Sequence, residues 1–185
     1  MDEVRRIDRK LIRKCHVFDL YEDTVQFEDG RTAAWDYLYH HGAAAIVPVL
    51  PDGRILLVRQ YRNAVDRVSL EIPAGKKDFP EEEGETCARR ELEEETGYRA
   101  GKMEKLFSLV TAIAYCSEVI DIYVATDLEK HVQHLDEDES IDVEAFDPEE
   151  LKAWLFSGRI QDAKTAAALS AYFLSFEFKT IQPLC

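Results

Sequence analysis

Cysteine is scarce and unpaired in this 185-residue chain. Its four cysteines, Cys15, Cys87, Cys116 and Cys185, fall at no spacing that suits a metal-ligand pair or a disulfide scaffold. They read as free thiols in a reducing compartment. Long apolar runs are missing too: none approaches membrane-spanning length, and the opening MDEVRRIDRK has no apolar signal region. The expectation is a cytoplasmic protein without a membrane partner. Basic residues are few, 23 Lys and Arg against 37 Asp and Glu, for a net charge of -14. That balance argues against nucleic acid as the main partner, since such binding rests on Lys and Arg neutralising phosphate. It does not exclude a small anion, because a metal and a few arginines can reverse the local field. Internal repeats, low-complexity segments and flexible linkers are absent as well.

What is present describes an ordinary globular protein, 46% apolar and 32% charged. The length suits one domain plus an extension, with enough chain to bury a core. Residues 1 to 14 are a short basic stretch, read as solvated, with a salt link to acidic surface elsewhere as the sharper reading. HVFDLY, TVQF and the segment after Gly30 read as an antiparallel meander, with turns at Glu22-Asp23 and Asp29-Gly30. So small a sheet has no core of its own and must pack on something. His40, His41 and Gly42 form a junction, giving an extension over 1–40 and a main domain over 41–185. AAAIVPVL and RILLVRQYR then read as strands joined by Pro51-Asp52-Gly53, followed by the strand VSLEI. KLFSLVTA and EVIDIYVATDL are further strands, and another starts at Ile141 after the acidic run Asp136–Glu139. Asp147-Pro148 opens one helix that Gly158 ends, and Asp162 caps another.

The chemistry concentrates in residues 69 to 98, SLEIPAGKKDFPEEEGETCARRELEEETGY. Nothing between Gly84 and Thr96 breaks a helix, and Gly97 stands where a helix C-terminus favours glycine. On that helix Glu91, Glu94 and Glu95 fall at i, i+3 and i+4 and share a face, while Glu93 points elsewhere. Like charges at this spacing repel, and a helix C-terminus adds partial negative charge. Arg90 can reach Glu94 and offset some of this. A cation would account for the remainder, and oxygen-only ligands favour a hard ion, Mg²⁺ or Mn²⁺. A solvated acidic helix is the other reading, and the pattern alone leaves both open.

The stretch resembles the Nudix box, the signature of hydrolases that act on nucleoside diphosphates linked to another group. Gly75, Glu82, Arg90, Glu91, Leu92, Glu94, Glu95, Gly97 and Tyr98 occupy the motif positions, with one extra residue between Gly75 and Glu82 in the loop around Phe79-Pro80. The resemblance implies an α/β fold, a Nudix α/β/α sandwich with a mixed sheet, here preceded by a small N-terminal antiparallel β extension. Within the family the chain is most similar to the ADP-ribose pyrophosphatase branch. There such an extension helps to build a homodimer, so a homodimer is implied.

The resemblance further implies Mg²⁺-dependent hydrolysis of the pyrophosphate bond of a nucleotide sugar, ADP-ribose giving AMP and ribose 5-phosphate. Glu91, Glu94, Glu95 and the carbonyl of Ala74 are the implied metal ligands. Arg59, Arg62 and Glu71 would lie near the substrate, with an Arg62–Glu71 structural ion pair as the alternative. The general base would come from the acidic loop, Glu139 first and Glu137 second, and Arg90 and Glu94 complete the catalytic group. In place of a proline common in ADP-ribose hydrolases this chain has Ile113, followed by Ala114 where glycine is common. This leaves another nucleotide sugar, of the ADP-glucose or GDP-mannose type, as the competitor. A nucleotide sensor that binds without cleaving is a third reading, against which the chain keeps all three glutamates. His131 and His134 are taken as surface residues.

Overall fold

The computed structural model describes residues 4–135 and 139–181, with the side chains of 176–181 left aside. Three strands open the chain: β1 (Val4–Lys14), β2 (Asp19–Phe27) and β3 (Thr32–Tyr39). They form an antiparallel sheet in sequence order. The basic stretch is thus a strand that is solvated along nearly its whole length, and the salt link is present as well: Arg9 grips Asp23 with two hydrogen bonds of 2.6 Å. Two register shifts, at Arg6/Asp8 and Leu11/Arg13, break the alternation of side chains. The DLY of HVFDLY and all of TVQF also merge into the single strand β2, without a turn at Glu22-Asp23.

The remaining strands are β4 (Ala43–Pro48), β5 (Ile55–Arg62), β6 (Arg67–Glu71), β7 (Ala74–Lys76), β8 (Tyr98–Val110), β9 (Val119–Lys130) and β10 (Ile141–Phe146). They make two sheets, β10-β5-β6 and β7-β4-β9-β8, the second mixed because β4 and β9 run parallel. The turn at Pro51-Asp52-Gly53 exists, with Gly53 at φ 88°. It passes the chain from one sheet to the other, since β4 and β5 belong to different sheets and are linked by the isolated bridge between Val49, just past β4, and Ile55.

Helix α1 (Gly84–Thr96) lies on one side of these sheets, and α2 (Pro148–Phe156) and α3 (Ala163–Ile181) on the other. Alternation along the strands assigns each residue to a side. Ala44, Ile46 and Leu56 pack with Cys87, Ala88 and Leu92 of α1. Ala43, Ala45, Val47, Ile55 and Leu57 pack with Leu151, Trp154, Ala168 and Leu169 of α2 and α3. Burying one such Leu or Ile contributes roughly 1.5–3 kcal/mol.

Capping follows the local sequence. Asp147 accepts a hydrogen bond of 2.8 Å from the N–H of Glu149. Asp162 accepts one of 2.9 Å from the N–H of Thr165. Thr165 is fully buried and its Oγ1 accepts from the N–H of Ile72 at 2.9 Å, which pins α3 to the end of β6. No helix among the described residues is long and apolar enough to cross a membrane.

Candidate active site

Helix α1 presents its glutamates where the chain leaves β6 and turns through Pro73 into β7. The helix can end there because Gly97 adopts φ 68° and donates its N–H to the carbonyl of Glu93 at 2.9 Å. Leu92 is fully buried against the sheet, which rotates Glu91 and Glu95, four residues apart, towards the β7 turn. Glu95 is 4% exposed, and its Oε2 accepts the backbone N–H of Ala74 at 3.0 Å. The Glu91 carboxylate lies against Gly75, where a Cβ would come within 2.1 Å of Oε1. Glycine is required at this point to let the carboxylate approach the turn.

Arg90 organises the other flank. It donates to Glu91 at 2.6 Å and to Glu94 at 3.1 Å, and reaches the carbonyl of Lys76 at 3.1 Å. Glu82, nearly buried, accepts from Arg90 at 3.4 Å and from the N–H of Asp78 at 2.8 Å, closing the loop that carries the extra residue. The three glutamates are therefore held by two donors, Glu91 and Glu94 by Arg90 and Glu95 by the N–H of Ala74. Among the described residues no group of three acidic, His or Cys side chains is already arranged as a metal cage.

Electrostatics mark the same pair. Burial raises the Glu91 carboxyl to about 7, with Glu94 and Glu139 adding to the rise and Arg90 opposing it. Burial raises Glu95 to about 8, helped by Glu91 and Glu139 and opposed by the Ala74 N–H and Arg62. Glu139 acts on both, so its carboxylate lies near enough to this pair to be felt by it. Glu137 lies outside the described residues. A buried carboxyl and a half-buried one that repel each other, all-oxygen donors and a glycine opening beside them fit a hard divalent cation.

Arg62 and Glu71 face each other in a bidentate ion pair, both hydrogen bonds 2.8 Å. Glu71 is 3% exposed and also meets Lys164 of α3. Burial works against its ionisation, but Arg62 and Lys164 together outweigh it and hold the carboxyl at about 2. Lys164 escaped the sequence reading. Its signal was a cation in the first turn of a helix, where the dipole disfavours one. Arg59, three residues from Arg62 on a strand, points to the opposite face of β5. There it pairs with Glu144 at 3.0 Å and lies 6.0 Å from the ring centre of Phe146. The structure brings Arg62 and Glu71 towards the glutamates but not Arg59.

Ile113 is 87% exposed in the segment between β8 and β9. Beside it, the Tyr115 carbonyl accepts the N–H of Leu38 at 2.7 Å and the N–H of Ser117 donates to the Leu38 carbonyl at 3.0 Å, tying β3 to the main body. His131 and His134 are both surface residues.

Residues 39–169 match the NUDIX domain. An ADP-ribose pyrophosphatase of Bacillus subtilis (strain 168) is 36% identical over 169 residues, covering 90% of this chain and 91% of that protein. A GDP-mannose pyrophosphatase of Yersinia enterocolitica is 31% identical over 168 residues, 83% of each. A crystal structure described as an ADP compounds hydrolase superposes with a TM-score of 0.80 over 96% of this chain and 95% of that one, at 24% identity, and shares the fold. With the motif's Arg90, Glu91, Glu94 and Glu95 on one helix and a relative of this identity spanning nine-tenths of its length, the chain belongs to the Nudix family of hydrolases.

Proposed function

We propose that this protein hydrolyses the pyrophosphate bond of a nucleoside diphosphate sugar, with ADP-ribose as substrate and AMP and ribose 5-phosphate as products. The observation that carries the reading is the Glu91–Glu95 pair, a half-buried and a buried carboxyl held at about 7 and about 8 beside a glycine turn. The names of the relatives support the substrate class. Glu91, Glu94, Glu95 and the Ala74 carbonyl would hold Mg²⁺, with Mn²⁺ the other suitable ion. Bound there, the ion would neutralise the diphosphate and acidify a water.

The other roles belong to the chain itself. Arg90 keeps Glu91 and Glu94 oriented through its hydrogen bonds to both. The Glu139 carboxylate accepts the proton of the attacking water, with Glu137 the second choice. Arg62, steadied by Glu71 and with its side chain 39% exposed, offers its free edge to the anionic substrate. Gln60 shares that face, and its buried Oε1 has no hydrogen-bond partner among the described residues. It would accept a substrate hydroxyl or a water. Arg59, on the other face, takes no part.

Ile113 in place of the common proline favours one second reading, the same chemistry on a different nucleotide sugar. The test is incubation with Mg²⁺ and, separately, ADP-ribose, ADP-glucose, GDP-mannose and NADH, with Glu95→Gln as the control. Release of AMP and ribose 5-phosphate, reduced roughly a thousandfold in the variant, is the expected result. Preference for another sugar would move the specificity; saturable binding without turnover would overturn hydrolysis.

The extension over 1–40 exposes Val4, Ile7, Leu11, Ile12 and Trp35. We assign it to a homodimer contact, with 41–185 as the Nudix domain. A monomer of 21.3 kDa in light scattering would overturn that assignment.

A further inference from the structure

A second cleft, of about 240 Å³, lies beside the edge strand β6 and shares none of its lining with the glutamate site. Three arginines line it: Arg59 from β5, Arg67 from β6 and Arg159 from the α2–α3 connection. Val68, Ser69, Leu70 and Gln161 complete its wall. Clustered guanidinium groups are unexpected in a chain of net charge -14, where a carboxylate is the commonest charged neighbour.

Their partners leave charge uncompensated. Glu144 satisfies Arg59 at 3.0 Å. Arg67 donates to the neutral side chain of Gln161. Arg159 lies over the ring of Trp154, its Cζ 3.8 Å from the ring centre. Among the described residues neither Arg67 nor Arg159 has a carboxylate within ion-pair distance. Gln161 and Trp154 restrict both side chains before any ligand arrives, so little rotamer freedom remains to be lost on binding. Planar guanidinium forks suit the paired oxygens of a phosphate better than a spherical anion. The cleft is smaller than the usual range for drug-sized ligands, roughly 300 Å³ upwards, so its occupant is small.

We propose that this cleft binds the phosphate group of a small phosphate monoester, at a site distinct from the hydrolytic one. The carrier is either a sugar phosphate, with Leu70 and Ser69 against its organic part, or inorganic phosphate alone. The assignment stands on the cleft and does not depend on which nucleotide sugar is hydrolysed.

Calorimetric titration of the full chain in EDTA tests it, with inorganic phosphate and with ribose 5-phosphate as separate probes. Wild type, Arg67→Ala, Arg159→Ala and Glu95→Gln are compared, with circular dichroism to verify the fold. The expected result is one saturable site per chain in wild type and in Glu95→Gln, weakened about tenfold or more in either arginine variant. Hydrolytic turnover should be unchanged in both arginine variants. Tighter binding of ribose 5-phosphate would assign the site to the ester; equal binding would assign it to phosphate itself. Three results would each overturn the proposal. They are no saturation up to roughly 10 mM, binding indifferent to Arg67 and Arg159, and binding lost in Glu95→Gln, which would place the anion at the glutamates.

Discussion

Lys164→Met removes one of the two cations around Glu71 and keeps a side chain of similar reach. Glu71 is 3% exposed, so its ionisation is little screened by solvent. Its carboxyl stands at about 2, against an ordinary value of 4.5. The difference of about 2.5 pH units corresponds to about 3 kcal/mol of stability linked to ionisation. Because the folded value is the lower one, this stability is present above pH 4.5 and is lost as pH falls from 4.5 towards about 2. Without Lys164, only Arg62 opposes burial, and the carboxyl moves back up. The variant should lose roughly 1–3 kcal/mol near neutral pH, reduced somewhat by removing a cation from a helix N-terminus. It should also show a shallower fall in acid. Urea unfolding near pH 7, 4.5 and 3 measures both, with Glu71→Gln as the reference lacking the titrating group. If Lys164→Met stays within about 0.5 kcal/mol of wild type near neutral pH and runs parallel to it in acid, the ion-pair argument fails.

Two further substitutions probe the site. Gly75→Ala puts a methyl group 2.1 Å from Glu91 Oε1; the flexible carboxylate should swing aside, leaving the fold intact and lowering kcat about 100-fold. A thermal melt and a rate assay separate these effects, and near-normal turnover would show that Glu91 need not lie against the turn. Glu139→Gln should lower kcat by roughly 10²–10⁴ with little change in KM. Unchanged turnover would move the general base to another residue of the acidic loop.

Much of the site was legible in the chain because it is local. One helix carries Arg90, Glu91, Glu94 and Glu95, and helical spacing alone places Arg90 within reach of Glu94, as observed at 3.1 Å. Strand β1 was not legible. It is rich in charge, and its two register shifts break the alternation by which a strand is recognised. Arg59 and Arg62 were separable in principle, since residues three apart on a strand face opposite ways. What concealed the separation was their proximity within VRQYR.

By itself, the sequence determined the helix over Gly84–Thr96, its glycine stop, the shared face of three glutamates, the caps at Asp147 and Asp162 and the family. These depend on contacts within a few residues, where backbone geometry leaves little freedom. Only the tertiary structure decided that β4 and β5 belong to different sheets, that Lys164 from α3 meets Glu71 across 93 positions of sequence, and that Arg59, Arg67 and Arg159 converge on one cleft. Such meetings follow from how the helices pack on the two sides of the sheets, and pairwise proximity over those distances leaves no periodic trace in a single chain.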